Sequence, residues 1–177
     1  MTETQCLKWI KTNLGPVISK AIADSGPIPY TESLIAAMVM RETGIIIMRN
    51  PTLSLASMSQ ITRGDYGHRK GETEKQYHGF GFMQIDIASF PDFVKSGNWK
   101  DPYKTFIQAI KVLEAKRKYL GNVPLQAVVA AYNCGEGNVS KAIKAGKDVD
   151  TYTYNHDYSK EVWRFMGMYD TIPTDRP

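Results

Sequence analysis

Cysteine and histidine, the residues most often used for disulfides and metal sites, are scarce in this sequence. Only two cysteines and three histidines occur among the 177 residues. Cys6 and Cys134 stand far apart, and their spacing does not tell whether they pair. His68, His78 and His156 are scattered and lack the short intervals typical of zinc ligands. We therefore expect no metal site and no cofactor.

The sequence also lacks a long apolar segment and a strong charge. No stretch reaches the about 18 consecutive apolar residues of a membrane span, and the N-terminus has neither the basic start nor the apolar run of a secretory signal. The net charge of +4 is well below the dense Lys/Arg patterning of nucleic-acid-binding proteins. We expect no membrane span, no nucleic-acid partner and no signal peptide in this chain: either a signal was removed, or the protein leaves its cell by another route.

What is present is the composition of an ordinary globular protein. Hydrophobic residues make up 42% and charged residues 23% of the chain, with no repeat, low-complexity tract or linker. A chain of this length can bury a core without disulfides or metals. We expect a single domain over residues 1–177 that acts as a monomer.

Apolar residues at helical spacing predict the first two helices. Residues 3–23 form one pattern, which Pro16 is expected to break or kink. Thr31 is a good N-cap for a second helix, and Gly44 is a natural terminator for it. The apolar run that follows, residues 45–48, is compatible with a buried strand or with helix.

Further helices are predicted beyond residue 100. Asp101 and Pro102 suit the N-cap and first position of a helix, and others are expected from Pro124, from Val139 and after the capping residue Asp157.

A polar stretch separates the two groups of helices. Residues 49–78 are rich in turn-forming residues, and so long an irregular segment usually carries function. Short strands are predicted near residues 60–66 and 79–86. The fold class is therefore mainly α, of the α+β type: a helical bundle with a small antiparallel sheet.

Glu42 is a carboxyl residue in an unusual position. It follows Ile35, Met38 and Val39 by seven, four and three positions and shares their apolar helix face. It is also predicted to lie in the last helical turn, where the macrodipole disfavours an anion. Both effects should raise its pKa, and a protonated carboxyl is what glycosidic bond cleavage requires. The alternative is a structural carboxylate paired with Arg41.

Two further segments carry candidate binding residues. In Gly79–Asp86, an extended backbone would project Gln84 and Asp86 to the same side, towards sugar hydroxyls; the alternative is a hairpin with a capping aspartate. In residues 130–139, Tyr132 can bring its hydroxyl to a buried carboxyl and Asn133 can bind a ligand; the alternative is a turn between helices with a core tyrosine.

Together and in this order, the segments resemble those of goose-type lysozymes and the related soluble lytic transglycosylases. The matching segments are Met40-Arg41-Glu42-Thr43-Gly44, Gly79-Phe80-Gly81-Phe82-Met83-Gln84-Ile85-Asp86 and Ala131-Tyr132-Asn133-Cys134-Gly135-Glu136-Gly137-Asn138-Val139, with Gly97-Asn98-Trp99 and Asp157-Tyr158. The resemblance covers residues 30–170 and implies a lysozyme-like fold, with the helices arranged around a cleft.

The resemblance implies roles for several carboxyl residues. The catalytic acid of the family falls on Glu42, and one aspartate that positions the attacking water falls on Asp86. The second falls on Asp65, within a Gly-Asp-aromatic setting typical of bacterial relatives, with Glu72 and Glu74 as reserves. Substrate contacts are expected from Gln84, Tyr132, Asn133, Tyr158 and Phe82.

The implied activity is that of a muramidase. Its partner would be the glycan strands of peptidoglycan, cut by hydrolysis of the β-1,4 bond between N-acetylmuramic acid and N-acetylglucosamine with inversion, outside the cell or in the periplasm. Three different functions stay open beside it. They are a lytic transglycosylase that releases 1,6-anhydro sugars, a non-catalytic peptidoglycan-binding module and a chitin-directed glycosidase.

Overall fold

The predicted helices form the body of the molecule, and a small sheet lies beside them. The structure is a computed structural model that describes residues 1–173; the last four residues of the predicted 1–177 domain lie outside this part. The α-helices are α1 (Glu3–Asn13), α2 (Gly15–Asp24), α3 (Glu32–Arg49), α4 (Leu55–Ile61), α5 (Pro91–Lys95), α6 (Pro102–Leu120), α7 (Leu125–Cys134), α8 (Glu136–Lys144) and α9 (Tyr158–Thr171). The strands are β1 (Arg63–Gly67), β2 (Gln76–Phe80) and β3 (Ile85–Asp86). The fold is thus mainly helical, of the α+β type, which confirms the prediction.

Helix α3 runs through the core and contacts α1, α2 and α9. It begins as predicted, because the Thr31 hydroxyl accepts a hydrogen bond from the Leu34 amide at 3.2 Å. The prediction that Gly44 ends the helix is wrong, since α3 continues to Arg49. A Cβ at Gly44 would lie 2.8 Å from Sδ of Met40, so the glycine permits close packing instead of terminating the helix. Residues 45–48 are therefore helical.

The predicted break at Pro16 is confirmed. Helix α1 ends at Asn13, and α2 starts at Gly15 with the proline in its first turn, where a missing amide costs little. Cys6 is buried on α1, and neither it nor the half-buried Cys134 of α7 forms a disulfide. No helix in the described part is long and apolar enough to span a membrane.

The sheet has the order β1-β2-β3 and is antiparallel throughout. Gly64 of β1 faces Gly79 of β2, which in turn faces Asp86 of β3. The second predicted strand, 79–86, is split, because a turn separates β2 from β3. Helix α4, within the polar stretch, was not predicted; its one sequence signal is the capping Ser54, whose hydroxyl accepts from the Ser57 amide at 3.2 Å.

The last helix, α9, begins where predicted but is capped by a different residue. Asp157 makes no side-chain cap. Instead the buried Asp150 accepts hydrogen bonds from the Ser159 amide at 2.9 Å and from its hydroxyl at 2.6 Å. This leaves Asp157 free to pair with Arg41 on α3, and it fixes the start of α9 beside the middle of α3.

Candidate active site

An open cleft of about 760 Å³ lies between α3, the sheet and the ends of α7 and α9. The predicted site residues that line it are Glu42, Asp65, Gln84, Asp86, Tyr132, Asn133 and Tyr158. The fold thus brings residues from distant parts of the sequence to one surface.

Glu42 projects from the middle of α3 and is half-buried where it meets the cleft. Burial raises its pKa from 4.5 to about 7, although a hydrogen bond from Tyr158 and the charge of Arg41 act in the opposite direction. The predicted contribution of the helix end is wrong, because α3 continues for about two turns beyond Glu42. Burial is the cause that raises the pKa.

Arg41 does not form an ion pair with Glu42, which was the structural explanation considered for this carboxyl. Its Nη2 lies 3.0 Å from Oδ1 of Asp157, and its guanidinium lies 5.6 Å from the centre of the Tyr158 ring. The arginine therefore leaves the carboxyl of Glu42 available for proton transfer.

Two tyrosines flank Glu42, and their hydroxyls bind different partners. The hydroxyl of Tyr158 donates to Oε1 of Glu42. Tyr132 was predicted to reach the buried carboxyl; instead its hydroxyl donates to the main-chain carbonyl of Met83 at 2.8 Å. Tyr132 therefore ties α7 to the turn between β2 and β3, whereas Tyr158 orients the carboxyl.

The turn at residues 81–84 is held from both sides. On α3, Thr43 directly follows Glu42, and its hydroxyl donates to the Phe82 carbonyl at 3.1 Å. From the other side, Tyr132 of α7 donates to the Met83 carbonyl. The predicted substrate contact by Phe82 is wrong, because its side chain is fully buried. It packs near Trp9, with ring centroids 6.5 Å apart. Burying an aromatic side chain in the core is more favourable than exposing it in the cleft.

Gln84 lies in the cleft in a different conformation from the extended one predicted. Its backbone has φ 47°, and its Nε2 donates to the Gly81 carbonyl at 3.0 Å. A Cβ at Gly64 or Gly79 would lie 2.3 or 2.5 Å from Oε1 of Gln84, so both glycines make room for this side chain.

Asn133 is exposed at the end of α7. Its Oδ1 accepts a hydrogen bond from the Tyr154 amide at 2.9 Å, which anchors the segment before α9. The residue also lines the cleft. Asn133 therefore combines a structural contact with a position in the cleft wall.

Asp65 of β1 and Asp86 of β3 bind the same cation, Arg69. Nη2 of Arg69 lies 2.8 Å from Oδ2 of Asp65, and Nη1 of the same guanidinium donates to Oδ1 of Asp86. Ser89 adds two bonds of 2.9 Å to the other oxygen of Asp86. Burial acts to raise the pKa of Asp86, but these hydrogen bonds outweigh it, and the pKa lies below its ordinary value.

The reserve candidates Glu72 and Glu74 are absent from the residues that line the cleft. Glu72 instead accepts from the Arg69 amide at 2.7 Å and from Nε2 of His78 at 2.9 Å, and these bonds lower its pKa to about 2. Nδ1 of the buried His78 donates to the main-chain carbonyl of Asp65 at 2.6 Å.

Arg69 and His78 are the functional candidates that sequence reasoning missed. Neither belongs to a recognisable pattern, because their partners lie across the sheet or in the loop between β1 and β2. Among residues 1–173 there is no group of three or more His, Cys, Asp or Glu suited to a metal ion.

A mainly helical domain with a small sheet and a glutamic acid at the floor of an open cleft defines a lysozyme-like protein. Residues 28–155 match the family model of the transglycosylase SLT domain, and the chain belongs to this family. The family places it among the peptidoglycan-acting enzymes, which work in the periplasm or outside the cell. Lytic transglycosylases are more typical of the family than hydrolases. No curated protein matches the chain.

Proposed function

We propose that the protein is a muramidase of the goose-type branch that hydrolyses the β-1,4 bond between N-acetylmuramic acid and N-acetylglucosamine. The observation that carries the proposal is Glu42: burial raises its pKa to about 7, and it lines an open cleft of about 760 Å³. A carboxyl that keeps its proton near neutral pH can protonate the leaving oxygen.

The two aspartates on the sheet favour hydrolysis. Asp65 and Asp86 line the same cleft as Glu42 and share one guanidinium, so their carboxylates face a common region. In this proposal they hold the attacking water on the ring face opposite Glu42. That arrangement predicts inversion at the ring carbon, as in glycosidases in which a water lies between the carboxyl groups.

The remaining contacts would position the sugar and the acid. Tyr158 orients Glu42, and the exposed Asn133 and the Gln84 side chain supply amide groups along the cleft. Tyr132 contributes by holding the turn that carries Gln84, not by touching the sugar through its hydroxyl.

Digestion of purified peptidoglycan, with mass spectrometry of the released muropeptides, tests the proposal. The wild type should release reducing sugars, and Glu42→Gln should reduce cleavage by about 10²- to 10⁴-fold while the protein stays folded. Asp86→Asn and Asp65→Asn should each cost less than Glu42→Gln. Glu74→Gln, an exposed residue outside the cleft, is the matched control. Near-normal cleavage by Glu42→Gln would refute the assignment.

A second candidate is a lytic transglycosylase. One observation favours it: this reaction is more typical of the family than hydrolysis. Glu42 would then act first as acid and later as base, and the product would be a 1,6-anhydro sugar lighter by one water. The muropeptide masses separate the two reactions directly.

The digestion assay also detects a binding module or a chitin-directed enzyme. Binding to peptidoglycan without any released product would indicate a non-catalytic module. Faster cleavage of chitin than of peptidoglycan would indicate a chitin-directed glycosidase.

A further inference from the structure

We propose that Arg69 is a positioning residue that holds Asp65 and Asp86 in place for water and thereby sets the share of hydrolysis among the products. This inference rests on the proposed function, because it concerns whether water or the C6 hydroxyl of the sugar attacks the ring carbon in the same cleft.

The geometry joins two strands through one side chain. Arg69 lies in the loop between β1 and β2, and its two terminal nitrogens bind Asp65 of β1 and Asp86 of β3. These strands do not pair with each other, since β2 lies between them. The guanidinium is therefore a direct link between the two carboxylates, and its planar fork holds each at a defined angle.

Removing the guanidinium would leave two carboxylates of like charge facing the same region. Like charges at short range repel, so the side chains would turn apart or one would take up a proton. The Asp65 side chain is 66% exposed and has room to turn, whereas Asp86 keeps its two bonds from Ser89. A water held between them would lose one or both of its acceptors.

The loop that carries Arg69 is itself anchored to Asp65. The Arg69 amide donates to Glu72, Glu72 accepts from His78, and His78 donates to the main-chain carbonyl of Asp65. With the Arg69–Asp65 side-chain contact, these bonds form a closed ring. Asp65 has φ 52°, a left-handed conformation that a non-glycine residue keeps only when its surroundings hold it. The ring thus fixes both ends of the Arg69–Asp65 contact.

The chemical consequence lies in which oxygen reaches the muramic-acid ring carbon. In hydrolysis a water oxygen bonds to that carbon as the glycosidic bond breaks. Glu42 gives its proton to the leaving oxygen, and the water loses a proton to an aspartate. In the competing path the C6 hydroxyl of the same sugar bonds to the carbon, and its proton returns to the Glu42 carboxylate without consumption of water. Only the first path needs the aspartates held in place.

The test compares muropeptide products from wild type, Arg69→Gln, Arg69→Lys and Lys70→Gln. Lys70 is the exposed neighbour on the same loop and controls for loss of one positive charge. We expect Arg69→Gln to lower the ratio of hydrolysed to anhydro products about tenfold or more, and Lys70→Gln to leave it unchanged. Arg69→Lys, which keeps the charge without the planar fork, should give an intermediate ratio and guards against misfolding of the glutamine variant.

The outcomes separate this inference from the proposed function. An unchanged or increased ratio in a folded Arg69 variant would overturn the positioning role while leaving hydrolysis by the wild type intact. An increased ratio would mean that Arg69 keeps the aspartates from binding the water instead of placing them for it. Anhydro products alone from the wild type would overturn both the hydrolytic proposal and this inference.

Discussion

The hydroxyl of Tyr158, at the start of α9, donates a hydrogen bond to Oε1 of Glu42 in the middle of α3, although the two residues are 116 positions apart. The bond favours the charged form of the carboxyl, and burial favours the neutral form. Burial is the larger effect, which leaves the pKa of Glu42 at about 7. Tyr158 thus orients the acid without removing its proton.

Tyr158→Phe is expected to shift the pH dependence of cleavage. Without the hydroxyl, the pKa of Glu42 rises further, so the loss of activity on the alkaline side should move up by about one pH unit. The rate at the optimum should also fall, because the carboxyl is less well oriented. The measurement is kcat/KM for peptidoglycan cleavage as a function of pH.

Tyr132→Phe is the matched control for that prediction. Its hydroxyl donates to Met83 and not to Glu42, so the variant should change the rate without the same shift of the alkaline limb. Equal shifts in both variants would contradict a specific effect of the Tyr158–Glu42 bond.

The Glu72–His78 pair should make stability depend on pH. Hydrogen bonds lower the pKa of Glu72 to about 2 from 4.5, so its contribution is present above about 4.5 and is lost as pH falls through about 2. Burial acts to lower the pKa of His78, but bonds to Asp65 and Glu72 raise it above 6.5. Its contribution is therefore present below about 6.5 and is lost as pH rises through the raised value.

Glu72→Gln should accordingly lower the urea midpoint most between about pH 4.5 and 6.5, and least at alkaline pH above the raised pKa of His78. Glu74→Gln, exposed on the same loop, should have little effect at either pH. A loss of stability that is the same at both pH values would argue against the charged pair.

Gly81→Ala is expected to destabilise the protein more than Gly97→Ala. Both glycines have φ 76°, so an added Cβ carries the same conformational cost of about 1–2 kcal/mol. At Gly81 the Cβ would also lie 2.9 Å from the Trp99 carbonyl, whereas at Gly97 it meets nothing within 4 Å. The clash should add about 1–3 kcal/mol, measured as the difference in unfolding free energy. Equal losses would show that the turn relaxes without cost.

The helices could be predicted because their apolar spacing reports which face is buried. The errors arose where tertiary packing overrides a local preference. Gly44 has the properties of a helix terminator, but its lack of a side chain allows close packing against Met40. The residues after it stay helical because Ile47 is buried in the core. Asp157 has the properties of a cap, but Asp150 performs that role from a preceding turn.

The site could be predicted in part for a similar reason. Glu42 lies on an apolar helix face, and this spacing predicts that the carboxyl faces the core or a cleft. The contacts of Arg69 and His78 could not be derived, because they depend on the register of β1 and β2 and on the path of the loop between them. Phe82 was misplaced because the resemblance does not tell which side chains of the segment are buried, and the fold buries this one.

The most direct test of the account is a carbon-13 NMR titration of the Glu42 carboxyl, assigned by comparison with Glu42→Gln. The structure predicts a midpoint at about 7 for this one carboxyl. A midpoint at the ordinary value of 4.5 would contradict the claim that burial keeps Glu42 protonated for transfer to a sugar oxygen.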